Sequence, residues 1–204
     1  HLLRGRRKMR NGMIMTGLTM VCAAALAGCG QVQPESAQPS APQPGATVMM
    51  ASVDYPVYSS LEEMGSRSKV VVRGSFVKLA KRDTERSFAT GGDPNQQGLP
   101  VAVWEFEVDE QFKGPKVGSR IEVLTFDLDR IQIADEEPVK LGAEVVLFLG
   151  RERNGVWARA AGDQAVLDVQ SDGALRAHRA ADPALAQQAR KTQKAELETL
   201  VQAP

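Results

Sequence analysis

The sequence predicts a mainly β fold: a small antiparallel barrel or sandwich, with one short helix ahead of it and one helix behind. Three observations carry that prediction. Residues 101–112 alternate apolar and polar side chains, the period of a strand with one wet face. Asn154-Gly155 and Asp172-Gly173 stand between β-forming runs, where tight hairpin turns want such pairs. Helix grammar is confined to Ser59–Met64 and to the stretch after Asp182.

Ahead of that domain, residues 1–28 hold Arg4, Arg6, Arg7, Lys8 and Arg10 and no acidic residue. The uncharged, mostly apolar run from Met13 to Leu26 has the length of a signal-peptide core and falls short of the roughly 20 residues of a membrane span. The Arg6-Arg7 pair lacks the apolar pair a twin-arginine signal needs after it. The run ends in Leu26-Ala27-Gly28-Cys29, which resembles the lipobox of bacterial lipoproteins. That resemblance implies a signal peptide over residues 1–28, cleavage between Gly28 and Cys29, and a lipid thioether on Cys29. The membrane is then a partner through the lipid. The domain lies outside the cytoplasm, at the cell surface or in the periplasm. Residues 29–53 follow as a Pro- and Gln-rich linker with Pro34, Pro39, Pro42 and Pro44. In polyproline geometry, at about 3.1 Å per residue, its first part reaches roughly 50 Å.

The formal charge of zero averages unlike pieces. Without the five basic residues before Cys29, 20 basic residues face 25 acidic ones, a net of −5. A mildly acidic mature chain gives no support to nucleic-acid binding, which wants a basic face, and no nucleic-acid partner is expected. The two cysteines are Cys22 and Cys29. With the first cleaved off and the second lipidated, the domain has no disulfide, thiolate metal site or cysteine nucleophile.

The β-domain is expected over residues 54–177. Ser59 or Ser60 caps a short helix that Gly65 stops. Lys69–Leu79 is a β-forming run with Val70, Val72 and Phe76 on one face and Gly74 at a bend. Residues 80–100 show no period and read as a long mobile loop. In the next strand Ala102, Trp104, Phe106 and Val108 point inward, and Val103, Glu105, Glu107 and Asp109 outward. After the turn at Lys113-Gly114-Pro115 comes Arg120–Phe126, then an acidic loop with Asp127, Asp129, Asp135, Glu136 and Glu137. Glu144–Leu149 is nearly all apolar and belongs in the middle of the sheet. Val156–Arg159, Ala165–Val169 and Ala174–Arg176 complete the strands. Residues 178–204 form a helical tail: Asp182 caps, Pro183 suits the first position, and the helix runs to about Val201.

The segments Val70-Val71-Val72-Arg73-Gly74, Phe106-Glu107-Val108 with Phe112-Lys113-Gly114, and Leu141-Gly142 with Val146-Leu147-Phe148-Leu149 look like a recurring bacterial secreted β-domain. That domain in turn resembles the OB-type barrel of the netrin and metalloproteinase-inhibitor (TIMP-like) group. The resemblance implies a small antiparallel OB-like β-barrel over roughly residues 55–175. It carries over no functional residue, because the chain lacks the N-terminal cysteines with which such inhibitors chelate zinc.

Candidate chemistry is sparse. No phosphate loop, nucleophile elbow or zinc-helix pair occurs in the sequence. His178, in a polar context, reads as a surface residue. Asp127, Asp129 and Asp135 are weak metal candidates, since their spacing matches no EF-hand and a solvated acidic loop explains them. Trp104 and Trp157 offer platforms for glycan or peptide but read as core, Trp104 more clearly. Glu105 and Glu107 share a strand face, the arrangement a carboxylate hydrolase would need. The expected function is a non-enzymatic binding or interaction module with an envelope protein or peptide partner and no cofactor. The competing expectation is an envelope hydrolase.

Overall fold

The computed structural model describes residues 49–51, 53–85 and 98–202. Gly28 and Cys29, and with them the signal-peptide and lipidation assignments, lie outside these residues. Two short elements, β1 (Met49–Ala51) and α1 (Leu61–Arg67), open the described chain ahead of the long strand β2 (Val70–Glu85). The strands continue as β3 (Leu99–Lys113), β4 (Arg120–Phe126), β5 (Ile131–Ile133), β6 (Glu144–Arg153), β7 (Val156–Asp163), β8 (Val166–Val169) and β9 (Leu175–Ala177). Two helices close it, α2 (Pro183–Lys191) and α3 (Lys194–Gln202). None of these helices is long and apolar enough to cross a membrane.

The fold is mainly β. Its large sheet runs β2-β3-β4-β7-β6-β8-β9, and β2 also pairs with β6, so that five of the strands form a circuit and the sheet is partly ring-closed. The expected all-antiparallel pairing needs correction, because the sheet is mixed. The β6–β7 hairpin turns tightly at Asn154 (φ 54) and Gly155 (φ 83), which lays β7 beside β4 in the same direction. The parallel pair is short, Glu122–Leu124 against Val156–Ala158. β1 also runs parallel to β5.

Strand β6 explains its own composition. It pairs with β2, β7 and β8, and both of its faces are covered. Val145, Leu147 and Leu149 join Val70, Val72, Phe76 and Phe106 in one core, while Val146 and Phe148 join the helices in another. A strand buried on both sides reads as continuous apolar sequence rather than alternation.

The helical layer corrects two expectations. Gly65 does not stop α1, which runs on to Arg67 and is capped at Ser68. Gly65 instead lets α3 approach: a Cβ there would stand 2.9 Å from the Val201 Cα. The tail is also two helices rather than one, broken at Thr192, which is extended (φ −92, ψ 126) and whose hydroxyl donates to Gln188 O. The break turns Leu197 and Val201 onto Leu61 and Met64, and all four are fully buried. Ser60 caps α1 and Asp182 caps α2, as their side-chain oxygens suit.

The expected loop over 80–100 needs correction at both ends, which are strand, while residues 86–97 lie outside the described residues. β2 extends to Glu85 and β3 starts at Leu99, and the two pair along this whole outer length. The four register shifts of this pair lie further in, between Val71 and Lys81, one of them beside Gly74; the outer residues of β2 lack a period because Ala80–Thr84 are all exposed. Val101 and Val103, the latter expected to face water, are both buried; Val101 packs with Phe126, Ile131 and Ile133.

Candidate functional site

The end of the circuit where β7, β8 and β9 meet the β5–β6 connection collects charge. Arg159 projects from β7, Asp163 ends that strand, Asp168 lies on β8, Arg176 on β9, and His178 follows β9 directly. Glu136, Glu137 and Lys140 come from the connection between β5 and β6.

His178 is the centre and corrects the expectation of a surface residue, being only 8% exposed. Its Nδ1 lies 2.8 Å from Asp163 Oδ2 and its Nε2 3.0 Å from Asp168 Oδ1. An imidazole that faces a carboxylate at each nitrogen satisfies both only as a double donor, the imidazolium. Burial opposes that charge, but the hydrogen bonds to Asp163 and Asp168 outweigh it and raise the His178 pKa to about 9. Asp168 moves the other way: burial would raise it, yet His178 and Arg176 bring it down to about 2.

Beneath the histidine, the Arg159 guanidinium is almost wholly buried. It donates to Glu136 Oε2 at 2.8 Å and to Asp163 Oδ1 at 3.1 Å. Glu136, expected in a solvated loop, is thus a buried ion-pair partner, with a side chain 5% exposed. Glu137 meets Lys140 at 3.4 Å and Arg176 at 3.6 Å, and its backbone N–H donates to Asp163 Oδ2. Arg159, Arg176, Lys140 and His178 therefore balance Glu136, Glu137, Asp163 and Asp168, charge for charge. Tyr55 lies within the reach of this field, and burial pushes its phenol well above the ordinary tyrosine value.

A cavity of about 160 Å³ opens beside the network. Phe76, Trp104, Val145 and Val166 supply its apolar wall, and Asp163, Asp168 and His178 a polar one. Trp104 is half-buried, packs against the circuit's core and donates through its indole N–H to Thr125 Oγ1 at 3.0 Å. It is both core and wall. Trp157 packs on the same core without lining this cavity.

The three acidic metal candidates do not converge. Asp127 and Asp129 line the cavity and share Arg82, whose Nε stands 3.0 Å from Asp127 Oδ2 and whose other end pairs with Asp129. Asp135 is exposed, with φ at 62°, and lies away from that cavity. Among the described residues the group spaced for a cation is Glu137, Asp163 and His178, with ligand atoms within 4.8 Å of one another. Its chemistry does not fit a metal: both histidine nitrogens already face carboxylates, and a ligand imidazole must offer a lone pair. This cluster is an ion-pair network. Glu105 and Glu107, the hydrolase candidates, line no part of the cavity and are each 3.9 Å from Arg120.

Sequence reasoning passed over His178, Arg159 and Asp163 because their partners come from different strands and no spacing signals them. The one available hint was composition: charged residues embedded in short strands that otherwise bury their side chains. The chain matches no protein-family model and no curated protein, so its function has to be read from this cavity and its charges.

Proposed function

We propose that this chain is an envelope lipoprotein, anchored through Cys29, whose β-domain is a non-enzymatic binding module with the cavity beside His178 as its ligand seat. The carrying observation is the pairing of the cavity's carboxylates. Asp163 and Asp168 are each hydrogen-bonded to His178 and ion-paired or hydrogen-bonded to an arginine, and Asp168 is held near 2, so these carboxylates are fixed as a rigid wall rather than set out toward a substrate. The half-buried Trp104 beside that wall suits recognition, which pairs an apolar surface with a few oriented polar groups. Glu105 and Glu107, each at Arg120 and outside the cavity, give the hydrolase alternative no support.

The finer fold reading is an OB-like barrel. It is supported by the circuit β2-β3-β4-β7-β6, in which consecutive strands pair until the last two exchange places and β7 lies parallel to β4. A five-stranded, partly open circuit of this kind is what an OB-like reading expects.

Anchoring and binding are tested separately. Wild type expressed in a bacterial envelope should partition into detergent and carry the mass of a lipid, and Cys29→Ala should do neither. Identical aqueous partitioning of both forms, with no lipid mass, overturns the anchor. For the module, a small-molecule panel should yield ligands that raise the melting temperature, an effect lost in Trp104→Ala. Chemical turnover of such a ligand overturns the non-enzymatic reading.

A further inference from the structure

The charges around the cavity are not evenly matched. At the His178 end four cations meet four carboxylates. Elsewhere in the lining Asp127 and Asp129 share one guanidinium, that of Arg82. Among the described residues these charges are short of one cation, and the deficit falls at Asp127 and Asp129.

Asp127 makes that deficit costly. Its side chain is 3% exposed, and its buried Oδ2 accepts no hydrogen bond among the described residues. Arg82 Nε is 3.0 Å away, close enough for attraction, but its N–H is not directed to donate. A buried carboxylate oxygen with Coulomb attraction and no donor stays under-satisfied. Arg82 itself is 46% exposed at its side chain, so it leaves this place with little loss of packing.

We infer that the cavity takes a small organic cation, a primary ammonium on a short apolar body, with the ammonium at Asp127 Oδ2 in place of Arg82. The proposal rests on the binding-module reading and names its ligand class. An ammonium brings three donors, enough to satisfy the oxygen that Arg82 leaves without one. Phe76 and Trp104 line the same cavity and offer the apolar body a surface and the cation aromatic faces. Size limits the body: a cavity of about 150 Å³ accommodates benzene, and this one measures about 160 Å³. A bare calcium ion suits the place poorly, since it seeks six to eight oxygens and this wall is largely apolar. Arg82 is the resident stand-in, a cation of this chain already seated where the ligand's cation belongs.

The test uses benzylamine, benzyl alcohol and benzoate as probes of equal shape and different charge. Each is titrated at neutral pH by calorimetry and by chemical-shift changes at the Trp104 indole. Benzylamine should bind at least about tenfold more tightly than benzyl alcohol, and benzoate should not bind. Arg82→Gln should tighten benzylamine several-fold, because its competitor is gone. Asp127→Asn should weaken it at least about tenfold, with circular dichroism reporting whether that variant folds. If it does not fold, the comparison of probes on wild type and Arg82→Gln decides alone. Equal binding of alcohol and amine, weaker binding in Arg82→Gln, or no binding by any probe overturns the cation inference and leaves the module reading intact. Conversion of benzylamine to product overturns the module reading instead.

Discussion

Asp163 Oδ2 lies 2.8 Å from His178 Nδ1, and both residues are buried. The contact joins the end of β7 to the chain leaving β9, and its strength depends on one proton. The folded pKa of His178, about 9, stands above its ordinary 6.5. A raised pKa means that stability is fully present below about 6.5 and is lost as pH climbs through about 9. The full shift corresponds to roughly 3 kcal/mol. Urea unfolding at pH 6 and pH 9.5 should differ by an amount of that order in wild type, and His178→Gln should flatten the slope. Asp168 acts on the acid side: with its pKa lowered from 3.8 to about 2, its contribution is present above 3.8 and lost as pH falls toward 2.

Arg159 carries a different risk. Its guanidinium is the shared donor to Glu136 and Asp163, both nearly inaccessible. Arg159→Met keeps most of the stem and removes the charge, which leaves buried carboxylates short of a counter-ion. The expected cost is about 3–5 kcal/mol by guanidinium chloride unfolding. Lys78→Ala, at an exposed pair with Glu105, should change stability by no more than about 1 kcal/mol.

Gly162 is held by two constraints at once. Its φ is +54°, and a Cβ would stand 2.4 Å from the Tyr55 ring carbon Cε2. Gly162→Ala should therefore cost about 1–2 kcal/mol for the left-handed backbone, plus the displacement of the ring. In a Tyr55→Ala background the second part disappears, so in a double-mutant cycle the pair of substitutions should cost less than the sum of the two singles. A penalty unchanged by Tyr55→Ala would place the whole effect in the backbone.

Zinc tests the nature of the charged cluster. Glu137, Asp163 and His178 are spaced for a metal, but the histidine nitrogens are occupied as donors. At neutral pH added zinc should leave the melting temperature unchanged, and a chelator should do the same. A zinc-dependent rise that disappears in His178→Gln would show that the imidazolium yields to the metal.

Much of the fold was readable because its causes are local. The turn at Asn154-Gly155 needs residues that tolerate positive φ, and both adopt it. The caps at Ser60 and Asp182 act within a few residues. The apolar run of β6 signals burial on both faces whatever covers them. The outer half of β2 and β3 was not readable. Its strands are held by pairing with each other, and on β2 the residues Ala80–Thr84 are all exposed, so no buried face marks the period on which sequence reading depends.

The sequence by itself determined the mainly β class, the inner strands that carry an apolar run or alternation, and the turns and caps set by local residues. Tertiary structure alone decided the parallel placement of β7 beside β4 and the break in the C-terminal helix at Thr192. It also decided the fate of the charges. Asp163, Asp168 and His178 lie within fifteen positions of one another, yet Arg159 and His178 could as well have faced water. Burial of a charge depends on whether a partner from another strand is close enough to offset lost hydration, and that distance is a property of the fold.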